Sequence, residues 1–129
     1  MSKAAILIVD DDEDILYFLR VLLEENGYTV STAATGEEAL EKAEKNRYEL
    51  VLLDYKLTDI SGGIIADKLR KMNESVQIIY ITGYSMKNGE IPTNEAVREI
   101  LVKPIPEYLL LRAVSEAVAG QGVQTEYEG

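Results

Sequence analysis

The sequence predicts an α/β domain built on a doubly wound parallel sheet, because two kinds of apolar pattern alternate along the chain. Short continuous apolar runs suit strands that are buried on both faces. The stretches between them place apolar residues at helical spacing. Five strands alternating with five helices imply right-handed crossovers and helices on both faces of the sheet.

The predicted strands are five apolar runs, four of them strong and the second one weaker. In chain order they cover residues 5–9, 28–33, 50–53, 78–81 and 100–102. With 129 residues in total, the chain has the length of one ordinary domain. We expect that domain to span residues 1–119 and to be followed at 120–129 by a flexible acidic tail or linker remnant.

The first two helices are predicted from their apolar faces and their ends. Gly27 is placed to cap the C-terminus of the first helix. The second helix begins at Thr35, three residues before Glu38, which is the spacing of a capping box. The residues predicted to be buried are Ile15, Phe18, Leu19, Leu22 and Leu23 in the first helix and Ala39, Leu40 and Ala43 in the second.

The third and fifth helices are predicted from their apolar faces, whereas the fourth is weakened by glycine and proline. The fifth begins at Pro106, whose missing N–H costs nothing in a first turn. Between Gly83 and Arg98, the residues Gly89 and Pro92 leave only a short, irregular fourth helix near 94–98, in the loosest part of the molecule. The predicted buried residues are Ile65, Leu69 and Met72 in the third helix and Leu110, Ala113, Val114, Ala117 and Val118 in the fifth.

Composition excludes several classes of function. A net charge of -10 opposes direct contact with nucleic acid or with an anionic membrane surface. The absence of Cys and His excludes thiol chemistry, histidine-containing catalytic triads and HExxH metal sites. The longest apolar run has six residues, against the roughly 20 that cross a bilayer. We therefore expect a cytoplasmic protein.

Carboxylates cluster where the predicted strands end, which is where doubly wound sheets bind ligands. The first strand runs directly into acidic residues at 10–14, and the third ends in Asp54. Two carboxylates about 4 Å apart repel by about 4 kcal/mol at an effective dielectric of 20. Among Asp10, Asp11 and Asp54, either one therefore stays protonated or a cation lies between them, and the cation is the simpler answer. Mg²⁺ suits such an all-oxygen site. Residues 12–14 also suit the start of a helix, where carboxylates complement the dipole.

Two other interpretations of the acidic run fail. Asp10, Asp12 and Asp14 occupy the first, third and fifth positions of an EF-hand loop, but Ile15 stands where Gly is required and Val21 where Glu is required. A phosphate-cradling loop of the flavodoxin kind is excluded because the acidic residues would repel the phosphate. The sequence also contains no GxxxxGK[ST] or GxGxxG motif.

The fourth and fifth strands end in residues that complement a phosphoryl group. Thr82 ends the fourth strand, and Lys103, followed by Pro104, ends the fifth. A hydroxyl donor and an ammonium group beside a carboxylate-bound cation are what a dianionic phosphoryl group on Asp54 requires around its oxygens.

With these residues in place, the sequence resembles the receiver domain of two-component response regulators over residues 4–119. The resemblance is carried by four motifs in order at strand ends: ILIVDDDEDI at 6–15, LVLLDYKL at 50–57, IIYITGY at 78–84 and LVKPI at 101–105. It implies a flavodoxin-like (βα)5 fold with strand order 2-1-3-4-5.

The resemblance also implies roles for individual residues. Asp54 is the implied phosphoryl acceptor, Asp11 a direct Mg²⁺ ligand and Asp10 a ligand through water. The backbone carbonyl of Lys56 is implied to complete the protein ligands. Thr82 and Lys103 are implied to contact the phosphoryl group, with a cis bond between Lys103 and Pro104. The implied partners are a sensor histidine kinase or a histidine phosphotransfer protein, and a phosphorylation-dependent homodimer is also expected.

Ile100 departs from the family pattern, since many receivers have Tyr or Phe three residues before the lysine. A stiff, apolar Ile100 is expected to remain in the core while the Thr82 loop and the fourth helix rearrange. Lys56 and Tyr84 are expected to flank the phosphoryl group. We expect a regulator and not an enzyme. The alternatives are an interaction module that works without phosphorylation, or an Asp-nucleophile phosphatase, which is disfavoured because Lys56 stands where a second Asp is needed.

Overall fold

The computed structural model describes residues 4–57, 59–83 and 97–120. Five parallel strands form one sheet in the order β2-β1-β3-β4-β5, which confirms the expected topology. The strands are β1 (Ala5–Val9), β2 (Thr29–Ala33), β3 (Leu50–Asp54), β4 (Gln77–Thr82) and β5 (Val97–Val102). Since β1, β3 and β4 have neighbours on both sides, their nearly continuous burial follows from their central position.

Four helices are described: α1 (Glu13–Glu25), α2 (Gly36–Lys45), α3 (Gly62–Met72) and α4 (Glu107–Ala119). The last corresponds to the predicted fifth helix. The predicted fourth helix near 94–98 falls mostly outside the described residues, and so does most of the stretch expected to be loose. At Val97 and Arg98 the helix prediction is wrong, because both residues lie in β5, where Val97 pairs with Ile78.

Two apolar clusters lie on opposite faces of the sheet, as expected for double winding. Alternation along β1 sends Ile6 and Ile8 into the cluster that α1 and α4 cover, and Leu7 and Val9 into the cluster covered by α2 and α3. Within the described residues, no helix combines the length and the apolar character of a membrane span.

The helix ends show how the sequence sets the boundaries. Gly27, at φ +96°, follows the last turn of α1 in the left-handed region that favours glycine. At the start of α2, Thr35 Oγ1 accepts a hydrogen bond from the N–H of Glu38 at 3.0 Å. The Glu38 carboxylate accepts from the N–H of Ala34 at 2.8 Å. The capping box is therefore present, with its return bond moved one residue upstream.

Three side chains predicted to be buried are exposed: Phe18 (49%), Met72 (40%) and Ile100 (39%). Four others are half-buried: Ile15, Leu40, Ala43 and Val118. In α1 the neighbouring Leu16 is buried instead, because the buried stripe is turned away from Phe18. Met72 is the last residue of its helix. The expectation that Ile100 lies in the core is wrong, because alternation along β5 directs Ile100 to the face opposite Leu101, where Val102 is exposed as well.

Candidate functional site

Four candidate site residues lie at the same end of the sheet because their strands are adjacent and parallel. Asp10 directly follows β1, Asp54 is the last residue of β3, Thr82 is the last of β4, and Lys103 directly follows β5. The order β1-β3-β4-β5 places these ends side by side. The register, which pairs Asp54 with Ile81 and Thr82 with Val102, brings the ends level.

Three carboxylates form an acidic cluster at this edge. Asp10, Asp11 and Asp54 each offer an oxygen, and these oxygens lie within 4.8 Å of one another. Asp10 and Asp54 are almost fully buried, whereas Asp11 is exposed. A buried Asp10 beside a buried Asp54 leaves little water to screen their repulsion. We call these three residues the acidic cluster.

Lys103 is the basic residue in contact with the acidic cluster among the described residues. Its Nζ lies 3.0 Å from Asp10 Oδ2 and 3.7 Å from Asp54 Oδ2. The bond to Pro104 is cis, as expected, and the Lys103 N–H donates to the Thr82 carbonyl at 2.8 Å. Burial lowers the pKa of Lys103, but the hydrogen bond and charge of Asp10, with the charge of Asp54, outweigh it and raise that pKa above its usual value.

Asp54 is destabilised as a carboxylate by its surroundings. Burial contributes most to raising its pKa, and the negative charge of Asp10 adds to this. Lys103 and the N–H of Lys56, which donates to Asp54 Oδ1 at 3.1 Å, act in the opposite direction. The net effect raises the pKa of Asp54, so one ammonium does not neutralise the acidic cluster.

The donor chemistry of the acidic cluster suits a hard divalent cation. Three carboxylates and one ammonium leave two negative charges in a site made of oxygen ligands, which matches Mg²⁺. The backbone of Lys56 lies at the site through its bond to Asp54, while its side chain is exposed. The expected ligand role of the Lys56 carbonyl stays a prediction.

Thr82 is 2% exposed, and its hydroxyl has no hydrogen-bond partner within the described part of the chain. Leaving a buried hydroxyl unpaired costs about 1–3 kcal/mol. Buried hydroxyls therefore usually have a partner, and a bound ligand is one that could supply it here. The acidic cluster, Lys103 and Thr82 are thus assembled at one edge, as the strand ends indicated. Tyr84, expected to flank them, lies outside the described residues.

The contacts that hold the chain after β3 were not predicted from the sequence. The Gly62 N–H donates to the Tyr55 carbonyl at 3.2 Å, and a Cβ at Gly62 would lie only 2.9 Å from Tyr55 Cα. The Tyr55 ring contacts Tyr80 edge to face, with centroids 5.1 Å apart. The Gly62–Gly63 pair at a helix start was the available signal for this close approach.

Comparison with known proteins identifies relatives over almost the whole chain. Residues 6–115 match the family described as the response regulator receiver domain. The transcriptional regulatory protein YkoG of Bacillus subtilis (strain 168) is 33% identical over 127 residues, which is 98% of this chain and 56% of YkoG. GlrR of Escherichia coli (strain K12) is 27% identical, and the match covers 97% of this chain and 28% of GlrR. The chain thus spans about half or less of these two relatives.

Solved structures agree with this match. A CheY-like receiver domain protein from Methanospirillum hungatei JF-1 superposes with a TM-score of 0.88 at 34% identity, covering 95% of this chain and 99% of that one. The response regulator TrrA from Thermotoga maritima, solved in complex with Mg(2+)-BeF, gives a TM-score of 0.79 at 36% identity. That match covers 88% of this chain and 98% of TrrA.

Proposed function

The chain belongs to the response regulator receiver domain family, the phosphoacceptors of two-component signalling, and we propose that Asp54 is its acceptor residue. The observation that carries this assignment is the position of Asp54 at the end of β3. There its carboxylate lies 3.7 Å from Lys103 Nζ and within the acidic cluster. Among the three acids, Asp54 is the one in the centre of the sheet edge, between the ends of β1 and β4.

The proposed reaction is transfer from a phosphohistidine to Asp54. A carboxylate oxygen of Asp54 forms a bond to phosphorus, and the P–N bond breaks with its electron pair going to the imidazole nitrogen. The Lys103 ammonium then stabilises the new phosphoryl oxygens. The Thr82 hydroxyl, unpaired among the described residues, donates to the same group. Lys56 flanks the site and regulates the access of water.

Mg²⁺ is the proposed cation. Asp11 would bind it directly, Asp10 through water, and Asp54 and the Lys56 carbonyl would complete the protein ligands. Bound there, Mg²⁺ supplies positive charge that offsets the charge of the transferring group. The short separations within the acidic cluster and the complex of TrrA with Mg(2+)-BeF support this choice.

The proposed phosphodonor is a sensor histidine kinase or a histidine phosphotransfer protein. Family membership supports this partner, and it supports a signalling regulator in preference to an enzyme. We further propose a cytoplasmic location and a homodimer that forms on phosphorylation. The proposed receiver unit is 1–119, with 120–129 as its tail.

Labelling by a small phosphodonor tests the assignment. Acetyl phosphate with Mg²⁺ should add one phosphoryl group to the wild type by intact mass, and Asp54→Asn should abolish the gain, because an amide is a poor nucleophile. Asp11→Ala should slow labelling and remove its dependence on Mg²⁺. Asp14→Asn, which makes the same charge change on α1 outside the acidic cluster, is the matched control. Undiminished labelling of Asp54→Asn places the acceptor elsewhere, and an unlabelled wild type favours a phosphorylation-independent module.

A further inference from the structure

Asp59 connects the chain after β3 to the first turn of α2. Its Oδ1 accepts a hydrogen bond from the Gly36 N–H at 2.9 Å, and its Oδ2 accepts from the Glu37 N–H at 3.0 Å. These donors have no partner within their own helix, because they belong to its first turn. Thr35 satisfies only the next donor, the N–H of Glu38. Asp59 therefore supplies the part of the α2 cap that the local sequence lacks.

The packing at this contact is tight, so a larger residue at position 36 would have to displace its neighbours. A Cβ on Gly36 would lie 2.7 Å from Ile65 Cδ1, 3.1 Å from Ile60 Cβ and 3.2 Å from Asp59 Oδ1. The two hydrogen bonds, first the one from Gly36, hold the pKa of Asp59 below its ordinary range. Asp59 is thus ionised at neutral pH, and the positive end of the helix dipole favours its charge.

The same segment borders the acidic cluster. At its start, the Lys56 N–H donates to Asp54 Oδ1 at 3.1 Å. At its end, the Gly62 N–H donates to the Tyr55 carbonyl at 3.2 Å. Between these two bonds, Asp59 provides contacts to a different helix. We call residues 55–57 and 59–61 the β3–α3 loop. These described residues are held by all three attachments.

We propose that Asp59 is a positioning residue for the cation site: by holding the β3–α3 loop against α2, it maintains the loop conformation that binds a divalent cation at the acidic cluster. This inference rests on the proposed function, which assigns the Lys56 carbonyl of the same loop as a ligand. A loop that occupies its binding conformation only a fraction of the time weakens the apparent affinity by that fraction. The start of α2 and the cation site are coupled through this loop.

A magnesium titration followed by backbone amide shifts in NMR tests the coupling. Asp59→Ala should weaken the apparent Mg²⁺ affinity about tenfold, the scale typical of groups that orient metal ligands. Asp59→Asn keeps one oxygen acceptor, so it should fall between the wild type and Asp59→Ala. Thr35→Ala is the matched control, because it removes a hydrogen bond from the same helix turn without touching the loop. It should lower the melting temperature and leave the Mg²⁺ affinity unchanged.

Reciprocity provides a second test that needs no variant. If Asp59 favours cation binding, then Mg²⁺ must strengthen the Asp59 contact, and the amides of Gly36 and Glu37 should exchange with deuterium more slowly in saturating Mg²⁺. Equal affinities for the wild type and Asp59→Ala, or equal exchange with and without Mg²⁺, would overturn the inference while leaving phosphorylation of Asp54 standing. A loss in Thr35→Ala as large as in Asp59→Ala would also overturn it, because general helix fraying would then suffice. A wild type that binds no Mg²⁺ would refute the proposed cation site itself.

Discussion

Replacing Asp54 by Asn should stabilise the metal-free protein, although it removes the proposed phosphoryl acceptor. The substitution deletes one negative charge from a cluster whose oxygens lie within 4.8 Å of one another. It preserves the shape of the side chain and an oxygen that can accept the hydrogen bond from the Lys56 N–H. Lys103 keeps its closer partner, Asp10, at 3.0 Å.

The size of the effect follows from the distances. At 4.8 Å and an effective dielectric of 20, each pair of carboxylates repels by about 3.5 kcal/mol, and Asp54 takes part in two such pairs. The attraction between Asp54 and Lys103, at 3.7 Å, opposes this repulsion by about 4.5 kcal/mol at the same dielectric. Because Asp11 is exposed and screened by water, we expect a net gain of about 1–2 kcal/mol for Asp54→Asn. For a chain of this length the melting temperature should rise by about 4–8 °C.

The stability that Asp54→Asn gains over the wild type should increase as the pH rises. Burial, and then the charge of Asp10, raises the pKa of Asp54 in the folded state, so the folded protein retains this proton when the unfolded chain has lost it. The wild type therefore loses stability relative to Asp54→Asn as the pH rises above the ordinary aspartate value of about 4. The difference is complete above the folded-state pKa and vanishes below about pH 3.5, where Asp54 is protonated in both states.

Calorimetric melting in EDTA at several pH values measures this difference. With saturating Mg²⁺ the wild type should melt at the higher temperature of the two. A ligand at 100 times its Kd stabilises the wild type by about 2.7 kcal/mol, and Asp54→Asn binds it less well. Asp14→Asn, at an exposed position of the first turn of α1, serves as the control and should show no such gain. A lower melting temperature for Asp54→Asn in EDTA at pH 7, or a gap that persists at pH 3.5, would refute the electrostatic argument.

Two further predictions concern packing beside the site. Gly62→Ala should cost about 1–3 kcal/mol in urea unfolding, because its Cβ would approach Tyr55 Cα to 2.9 Å. Gly63→Ala, which meets nothing within 4 Å, should instead stabilise α3 by about 1 kcal/mol, and equal effects would contradict the packing argument. Tyr80→Phe should raise stability by about 1 kcal/mol, since it removes a buried hydroxyl without a partner among the described residues and keeps the ring contact with Tyr55. A clear loss of stability in Tyr80→Phe would show that the hydroxyl is hydrogen-bonded.

The strands were predictable because burial on both faces leaves a continuous apolar run. β5 shows the limit of this signal. The sequence predicted its start at Ile100, whereas the strand begins at Val97. Arg98 and Glu99 belong to an edge strand that needs no apolar side chain at every position, so their charge concealed the pairing with β4. Ile100 is exposed because alternation along β5 turns it away from the face on which Leu101 is buried.

Helical periodicity identified which faces are buried, but not where the covered stripe ends. Phe18 fits the spacing of the predicted α1 stripe, yet it is exposed, whereas Leu16, three residues before Leu19, is buried. The margin of a stripe depends on which elements cover it, and this is a tertiary property. The acidic run at 10–14 contains both predicted roles. Asp10 and Asp11 join the acidic cluster, whereas Asp12 caps α1 by accepting from the Asp14 and Ile15 N–H groups.

Convergence at the candidate site could be inferred from topology, since residues at strand ends of one sheet meet whatever their separation in sequence. Asp10 and Lys103 are 93 residues apart and form an ion pair. The contact of Asp59 with Gly36 has no comparable signal. It joins a loop to a helix start across 23 residues, and neither periodicity nor strand order encodes such a pair. Side-chain capping across loops has to be read from the structure.

The instability of the acidic cluster and its proposed affinity for a cation have the same physical source. Asp10 and Asp54 are almost fully buried, so little water reaches them to screen their repulsion. Burial, and then the charge of Asp10, raises the pKa of Asp54, and Lys103 offsets only part of this effect. A second lysine in contact would stabilise the metal-free fold but would remove the free energy that drives cation binding. A buried cluster with one ammonium thus keeps a net negative charge, which a divalent cation can neutralise. A phosphoryl group without the cation would add to that negative charge.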